Sequence, residues 1–147
     1  MGLDSAIYVK IKFKSGFELE REVCYWRKHW SLRNRIINNV LGGEKVGMAY
    51  YPINKGDLIE IRDILIDACD DVGNIVEYDY FGNPNNFIET NYHYIGEIQK
   101  LLLLIKDSMF IYDYLTDEEF KRAVTILDDE TEVIEIEKIE FLFLDSY

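Results

Sequence analysis

Apolar residues alternate strictly from Ala6 to Phe13, with Ile7, Val9, Ile11 and Phe13 on one side and Tyr8, Lys10 and Lys12 on the other. A period of two marks a half-buried strand. The next run alternates too, placing Phe17, Leu19, Arg21, Val23 and Tyr25 on one face and Glu18, Glu20 and Glu22 on the opposite one. A three-residue loop, Lys14-Ser15-Gly16, with Gly16 left-handed, sets Phe13 against Phe17 and Ile11 against Leu19. It also sets Lys12 against Glu18 and Lys10 against Glu20, a ladder of opposite charges. A two-residue loop would oppose Lys12 to Leu19 and mix the faces, so the pattern selects the longer loop.

From Trp26 the period becomes helical. Trp26, Trp30, Ile37 and Leu41, flanked by His29, Ile36 and Val40, form one apolar stripe, and Gly42-Gly43 ends the helix. Val46 to Tyr51 reads as a short strand that stops at Pro52. Asn54 is placed to cap a helix in which Leu58, Ile61, Leu65, Ala68, Cys69 and Val72 are spaced for burial, with Gly73 as terminator. Ile75 to Phe81 is a short extended piece, and Gly82 to Asn86 a turn cluster. A helix follows from Asn91 to about Asp107, with Tyr92, Ile95, Ile98, Leu102, Ile105 and Met109 inward. Thr116-Asp117-Glu118-Glu119 is a capping box that opens a helix to about Leu127. Asp128-Asp129-Glu130 suits a turn better than a helix C-terminus, where the dipole prefers cations. The strand from Val133 to Leu144 changes phase, with Ile134 and Ile136 one step out from Ile139, Phe141 and Phe143, so a bulge is expected near Lys138. These elements predict an α+β fold, an antiparallel sheet of N-terminal hairpin, middle strand and C-terminal strand, packed against three to four helices.

A chain of 147 residues suits one domain, 1–147, with a sizeable core. The longest uninterrupted apolar run, Leu101 to Ile105, is far short of the ~20 residues a membrane span needs, and no charged-then-apolar leader opens the chain. No membrane association and a cytoplasmic location are the expectation. Cys24 and Cys69 sit inside predicted elements and read as small buried residues of a reducing compartment. The formal charge of −12 is uneven: residues 1–50 carry nine Lys or Arg against five Asp or Glu, residues 51–147 seven against twenty-three. Such a field repels nucleic acid and steers basic partners.

Met1-Gly2-Leu3-Asp4, Glu22-Val23-Cys24-Tyr25-Trp26-Arg27-Lys28, the acidic helix from Asn54 to Cys69, and Tyr80-Phe81-Gly82 followed by Asn91-Tyr92-His93-Tyr94 occur in order over most of the chain. On these pieces the chain resembles a family of small phage and prophage proteins without an assigned activity. The resemblance implies a context, a phage or prophage gene expressed in a bacterial cytoplasm. Members usually carry alanine where Cys24 stands here, which removes a required thiol from that position.

Candidate chemistry concentrates in three places. Around Trp26, a nucleic-acid reading has Tyr25 or Trp26 stacking on a base while Arg27, Lys28, Arg33 and Arg35 meet phosphates. Against it, Trp26 and Trp30 serve equally as core anchors, and an arginine of this helix can pair with a buried carboxylate such as Asp4. Around Phe81, six aromatics (Tyr78, Tyr80, Phe81, Phe87, Tyr92 and Tyr94) flank a polar turn, suiting either a binding surface or a cover for the sheet's end. From Asp113 to Asp145 twelve acidic residues face three basic ones, and Glu135 and Glu137 alternate outward as a row of negative charge that could imitate a phosphate backbone. His29 and His93 are isolated, Asp67, Asp70 and Asp71 lack the spacing of a calcium loop, and no phosphate-cradling or nucleophile motif is present. No catalytic residue, metal or cofactor is therefore assigned.

Three function classes follow. The first is an acidic phage-type interaction protein that binds and inhibits or redirects a bacterial host protein, with nucleic-acid mimicry in counter-defence as its sharpest form. The second is a nucleotide- or RNA-binding module using Tyr25 to Lys28, and the third an enzyme with a site assembled from distant residues. Apolar helix faces also make a homo-oligomer an expectation.

Overall fold

The computed structural model describes residues 4–27, 30–43, 49–70, 76–78, 84–86 and 88–146. In chain order run β1 (Asp4–Phe13), β2 (Glu18–Arg27), α1 (Trp30–Asn39), β3 (Ala49–Ile53), α2 (Lys55–Asp70), β4 (Val76–Tyr78) and β5 (Pro84–Asn86). They continue as α3 (Ile88–Lys106), a 3-10 turn (Ser108–Phe110), α4 (Ile111–Tyr114), α5 (Asp117–Ala123), β6 (Val124–Ile126), β7 (Glu132–Ile134) and β8 (Ile136–Ser146). The main sheet is antiparallel, in the order β2-β1-β8-β3. β4 pairs with β5 and β6 with β7 in two small ribbons. The fold is α+β.

The first hairpin closes as its pattern demands. Lys10 pairs with Glu20, Ile11 with Leu19 and Lys12 with Glu18. Gly16 takes a φ of 96°, its amide bonds the Phe13 carbonyl at 2.9 Å, and the rings of Phe13 and Phe17 stack at 5.7 Å. Further along, the register slips between Ile7 and Tyr8, leaving Val23 as an extra residue on β2. Beyond this bulge Cys24 and Trp26 face inward and Tyr25 turns to the opposite face. The uninterrupted alternation expected through Tyr25 is thereby corrected, and so is the start of the helix: Trp26 is a strand residue and α1 begins at Trp30. A second slip opposite Lys12 and Phe13 makes Glu137 the extra residue of β8, which reconciles the two phases of that strand.

Local chemistry ends the helices. The Gly43 amide bonds the Ile37 carbonyl at 3.0 Å, closing α1. Asn54 and Asp57 exchange side chain-to-amide bonds at 2.9 Å to open α2. β3 runs through Pro52 to Ile53 instead of stopping there, because it is an edge strand and needs no ladder donor on its open side. α3 buries Ile95, Ile98, Leu101 and Leu104. Two residues expected inward are exposed. Tyr92 lies off the buried stripe, and Met109 is redirected because Asp107 caps a 3-10 turn where α3 stops. α5 ends at Ala123, not near Leu127, since Val124, Thr125 and Ile126 pair with β7. Asp128 to Glu130 form the connecting turn, Glu130 in the left-handed region at φ 66°.

The core lies between one face of the main sheet and the helices. Ile7, Val9, Ile11, Phe13 and Phe143 meet Leu58, Ile61, Leu65 and Ile98 there, each buried side chain contributing about 1.5–3 kcal/mol. Arg21, an inward-facing cation on β2, ties the α4–α5 corner to this sheet. Its guanidinium sits 4.5 Å over the Tyr114 ring, donates to the Tyr114 carbonyl at 3.2 Å and pairs with Glu119. Glu119 also accepts from the Thr116 amide at 2.9 Å and completes the expected capping box. Burial pushes the Glu119 carboxyl up, but the Thr116 amide and Arg21 more than offset this and hold it below the ordinary carboxylate range.

A carboxyl depressed in the folded state stabilises the fold above its unfolded pKa, and that contribution is lost as pH falls through the folded value. Glu119→Gln is expected to destabilise by roughly 1–2 kcal/mol near neutral pH in urea titrations. The gap to the parent should narrow as the pH is lowered past the ordinary carboxylate range, because the folded carboxyl takes up its proton only below that range; a gap of unchanged size at the acid end would rule out the carboxylate charge as its source.

Candidate functional site

The sheet's register carries most of the N-terminal candidates to one end. Trp26, Ser5, Asp145 and Ala49 form one row across all four strands, and Tyr25, Ala6, Leu144 and Tyr50 form the next. The first row turns inward. Trp26 is 2% exposed and meets the ring of Tyr94 edge-on at 5.2 Å. Tyr94, from the first turns of α3, donates its hydroxyl to the Tyr25 carbonyl at 2.8 Å. The Tyr25 hydroxyl in turn donates to Asp4 at 2.9 Å. Tyr25, Trp26 and Tyr94 are thus brought together as a lock between β2 and α3. In this arrangement Trp26 is not available to stack on a base, which corrects the nucleic-acid reading at its central residue.

Asp145 is fully buried, and α1 supplies its counter-charge. Arg33 Nε and Nη2 meet its two carboxylate oxygens at 3.0 and 2.9 Å, a two-pronged bond with both side chains enclosed. An arginine–carboxylate pair of this helix therefore exists, and it joins Arg33 to Asp145. Ser5, beside Asp145 in register, has a buried hydroxyl with no hydrogen-bond partner among the described residues. Cys24 completes the enclosed set, and burial raises its thiol well above the ordinary range, leaving it protonated and unreactive.

The remaining candidates disperse. Arg35 is exposed and lies 3.7 Å from Asp67 of α2. Tyr92 is exposed on α3. Lys28, Tyr80 and Phe81 lie outside the described residues, and Arg27 is described by its backbone alone, paired with Asp4. Glu135 falls in the gap between β7 and β8, 3.3 Å from Lys14, and Glu137 is the bulge residue, 3.8 Å from Lys12. The two glutamates do not form a strand-borne acidic row: each has a lysine of the first hairpin beside it.

Negative charge is densest earlier in the chain. Between Asp107 and Glu132 there are nine acidic residues and two basic ones. The same stretch exposes Met109 (65%), Phe110, Tyr112, Ile126 (66%) and Leu127. Tyr112 joins its two parts, since its hydroxyl accepts from the Ile134 amide at 3.2 Å and its ring lies 6.0 Å from that of Phe120. Periodicity missed these positions because it assigned Met109 to a buried helical stripe and Ile126 to a helix. The exposed signal was a run of β-branched residues, Val124 to Ile126, directly before an acidic turn.

Among the described residues no group of three or more His, Cys, Asp or Glu converges as a metal site, and no helix is long and apolar enough to cross a membrane. No family model, curated protein or solved structure matches the chain.

Removing one member of the buried pair leaves the other charged and unsolvated. Asp145→Ala is expected to cost about 3–5 kcal/mol in urea denaturation, whereas Arg33→Met combined with Asp145→Leu should recover most of that loss. Equal losses in the single and double variants would mean that the pair's charges do not govern this end of the sheet.

Proposed function

We propose that this chain is an interaction protein that binds a basic surface of a bacterial protein and inhibits or redirects it, its acidic side taking the place that nucleic acid would occupy on that partner. The observation that supports this reading is the coincidence, within Asp107 to Glu132, of dense negative charge with solvent-exposed Met109, Phe110, Tyr112, Ile126 and Leu127. Isolated exposed apolar residues are ordinary on any surface, but several bordered by one sign of charge have the make-up of a binding patch. Met109 is unbranched and adaptable, which suits a contact that reshapes on binding. The carboxylates raise the encounter rate with a basic partner, and the apolar side chains slow its release.

The test is capture from bacterial lysate on the immobilised chain, followed by measured affinities for whatever protein is retained. Met109→Lys and Ile126→Lys are each expected to weaken binding about tenfold or more. Duplex DNA should compete for the same partner. A retained protein that binds both variants as tightly as the parent, or that is indifferent to DNA, would refute the assignment of this surface.

A further inference from the structure

The outer face of the main sheet, opposite the core, breaks the rule that a one-sided antiparallel sheet shows polar residues to water. β8 is apolar on both sides from Phe141 to Leu144. Phe141 and Phe143 enter the core, while Leu142 and Leu144 lie on the outer face in register with Tyr8 and Ala6 of β1 and with Pro52 and Tyr50 of β3. The rings of Tyr8 and Tyr50 approach to 6.1 Å across the intervening β8, and Tyr50 remains 58% exposed. Tyr8, Leu142 and Leu144 are only half-buried on this side. A strand apolar on both faces is the pattern of a strand covered on both faces.

We infer that the cover is a second copy of this chain, packed sheet to sheet on this face. Charge identifies the occupant. Next to the apolar half, and beyond Glu22, to which the Tyr8 hydroxyl donates at 3.3 Å, lie Lys10, Lys12 and Lys138 against Glu18, Glu20 and Glu140. With Glu22 and Asp4 counted, three lysines stand against five carboxylates on this face, a small excess in a chain of net charge −12. A basic partner or a nucleic acid gains little from such a surface, but a twofold-related copy meets both signs with both signs.

Size agrees. Four strands about 4.8 Å apart, three of them about ten residues long at about 3.3 Å per residue, give a flat footprint of roughly 550 Å² before side-chain relief is added. A standard interface buries about 800 Å² per partner. Aligned sheet-on-sheet packing about 10 Å apart would seat Leu142, Leu144 and the two tyrosines as its dry centre, with the mixed charges along its rim.

This interface uses a different surface from the acidic one above and stands or falls independently of it. Sedimentation velocity of the purified chain at about 100 µM is expected to show twice the chain mass. Tyr50→Lys, an exposed edge-strand change that leaves the core intact, should raise the dimer dissociation constant at least tenfold, and Leu142→Lys should do so more strongly. Met109→Lys should leave the dimer unchanged. A parent that sediments as a monomer at that concentration overturns the inference. So does a dimer that survives Tyr50→Lys with its circular dichroism intact, or one that Met109→Lys dissolves.

Discussion

The two-pronged bond between Arg33 and Asp145 ties the first helix to the last strand at the end of the sheet where its four strands come level. Taking both charges out of water costs several kcal/mol, and their mutual attraction recovers that only in good geometry. What the pair secures is position. A shift of β8 by one residue would send Asp145 to the other face and break both of its bonds to the enclosed Arg33 guanidinium. The same shift would carry Phe141 and Phe143 out of the core. The pair therefore penalises the wrong register much more than it rewards the right one, and α1 is held over Ser5 and Trp26 as a result.

Two extra residues, Val23 and Glu137, give the sheet its division of labour. Each reverses the phase of its strand, so that one face gathers the apolar side chains despite a sequence that changes step. At the hairpin end the outer face becomes an array of both signs of charge. At the opposite end the bulge in β2 turns Trp26 inward and Tyr25 outward, where its hydroxyl reaches Asp4. The excess negative charge is displaced to the helices and to the ribbon of β6 and β7, away from the part of the sheet where the lysines lie.

Much of this was legible in the residues. The hairpin register follows from setting Lys10 and Lys12 against Glu20 and Glu18, because only one loop length keeps the faces unmixed. Asn54 and Thr116 mark their helices through hydrogen bonds that a sequence states directly, and the change of phase around Lys138 announces its bulge. What escaped was long-range or locally ambiguous. The bulge at Val23 is invisible because Val23-Cys24-Tyr25-Trp26 is apolar in every register. Arg33 and Asp145 are separated by more than a hundred residues, and nothing local distinguishes Arg33 from the exposed Arg35 two positions on. Met109 and Ile126 fitted a helical stripe until a cap and a strand pairing interrupted it. The place of Tyr94 escaped for a similar reason, since it is fixed by a carbonyl of β2 that sequence spacing cannot bring to it.

β8 lies between β1 and β3, although it is the last of the three to be made. On the ribosome, β1 and β2 can close their hairpin early, and α1 and α2 can form while residues 136–146 are still unsynthesised. Until that segment emerges, the edges of β1 and β3 that it joins are unpaired, and the bond between Arg33 and Asp145 cannot form. Folding of the sheet must therefore wait for β8 to be threaded into its middle, a non-local step that slows folding and leaves an open β edge for other chains to find.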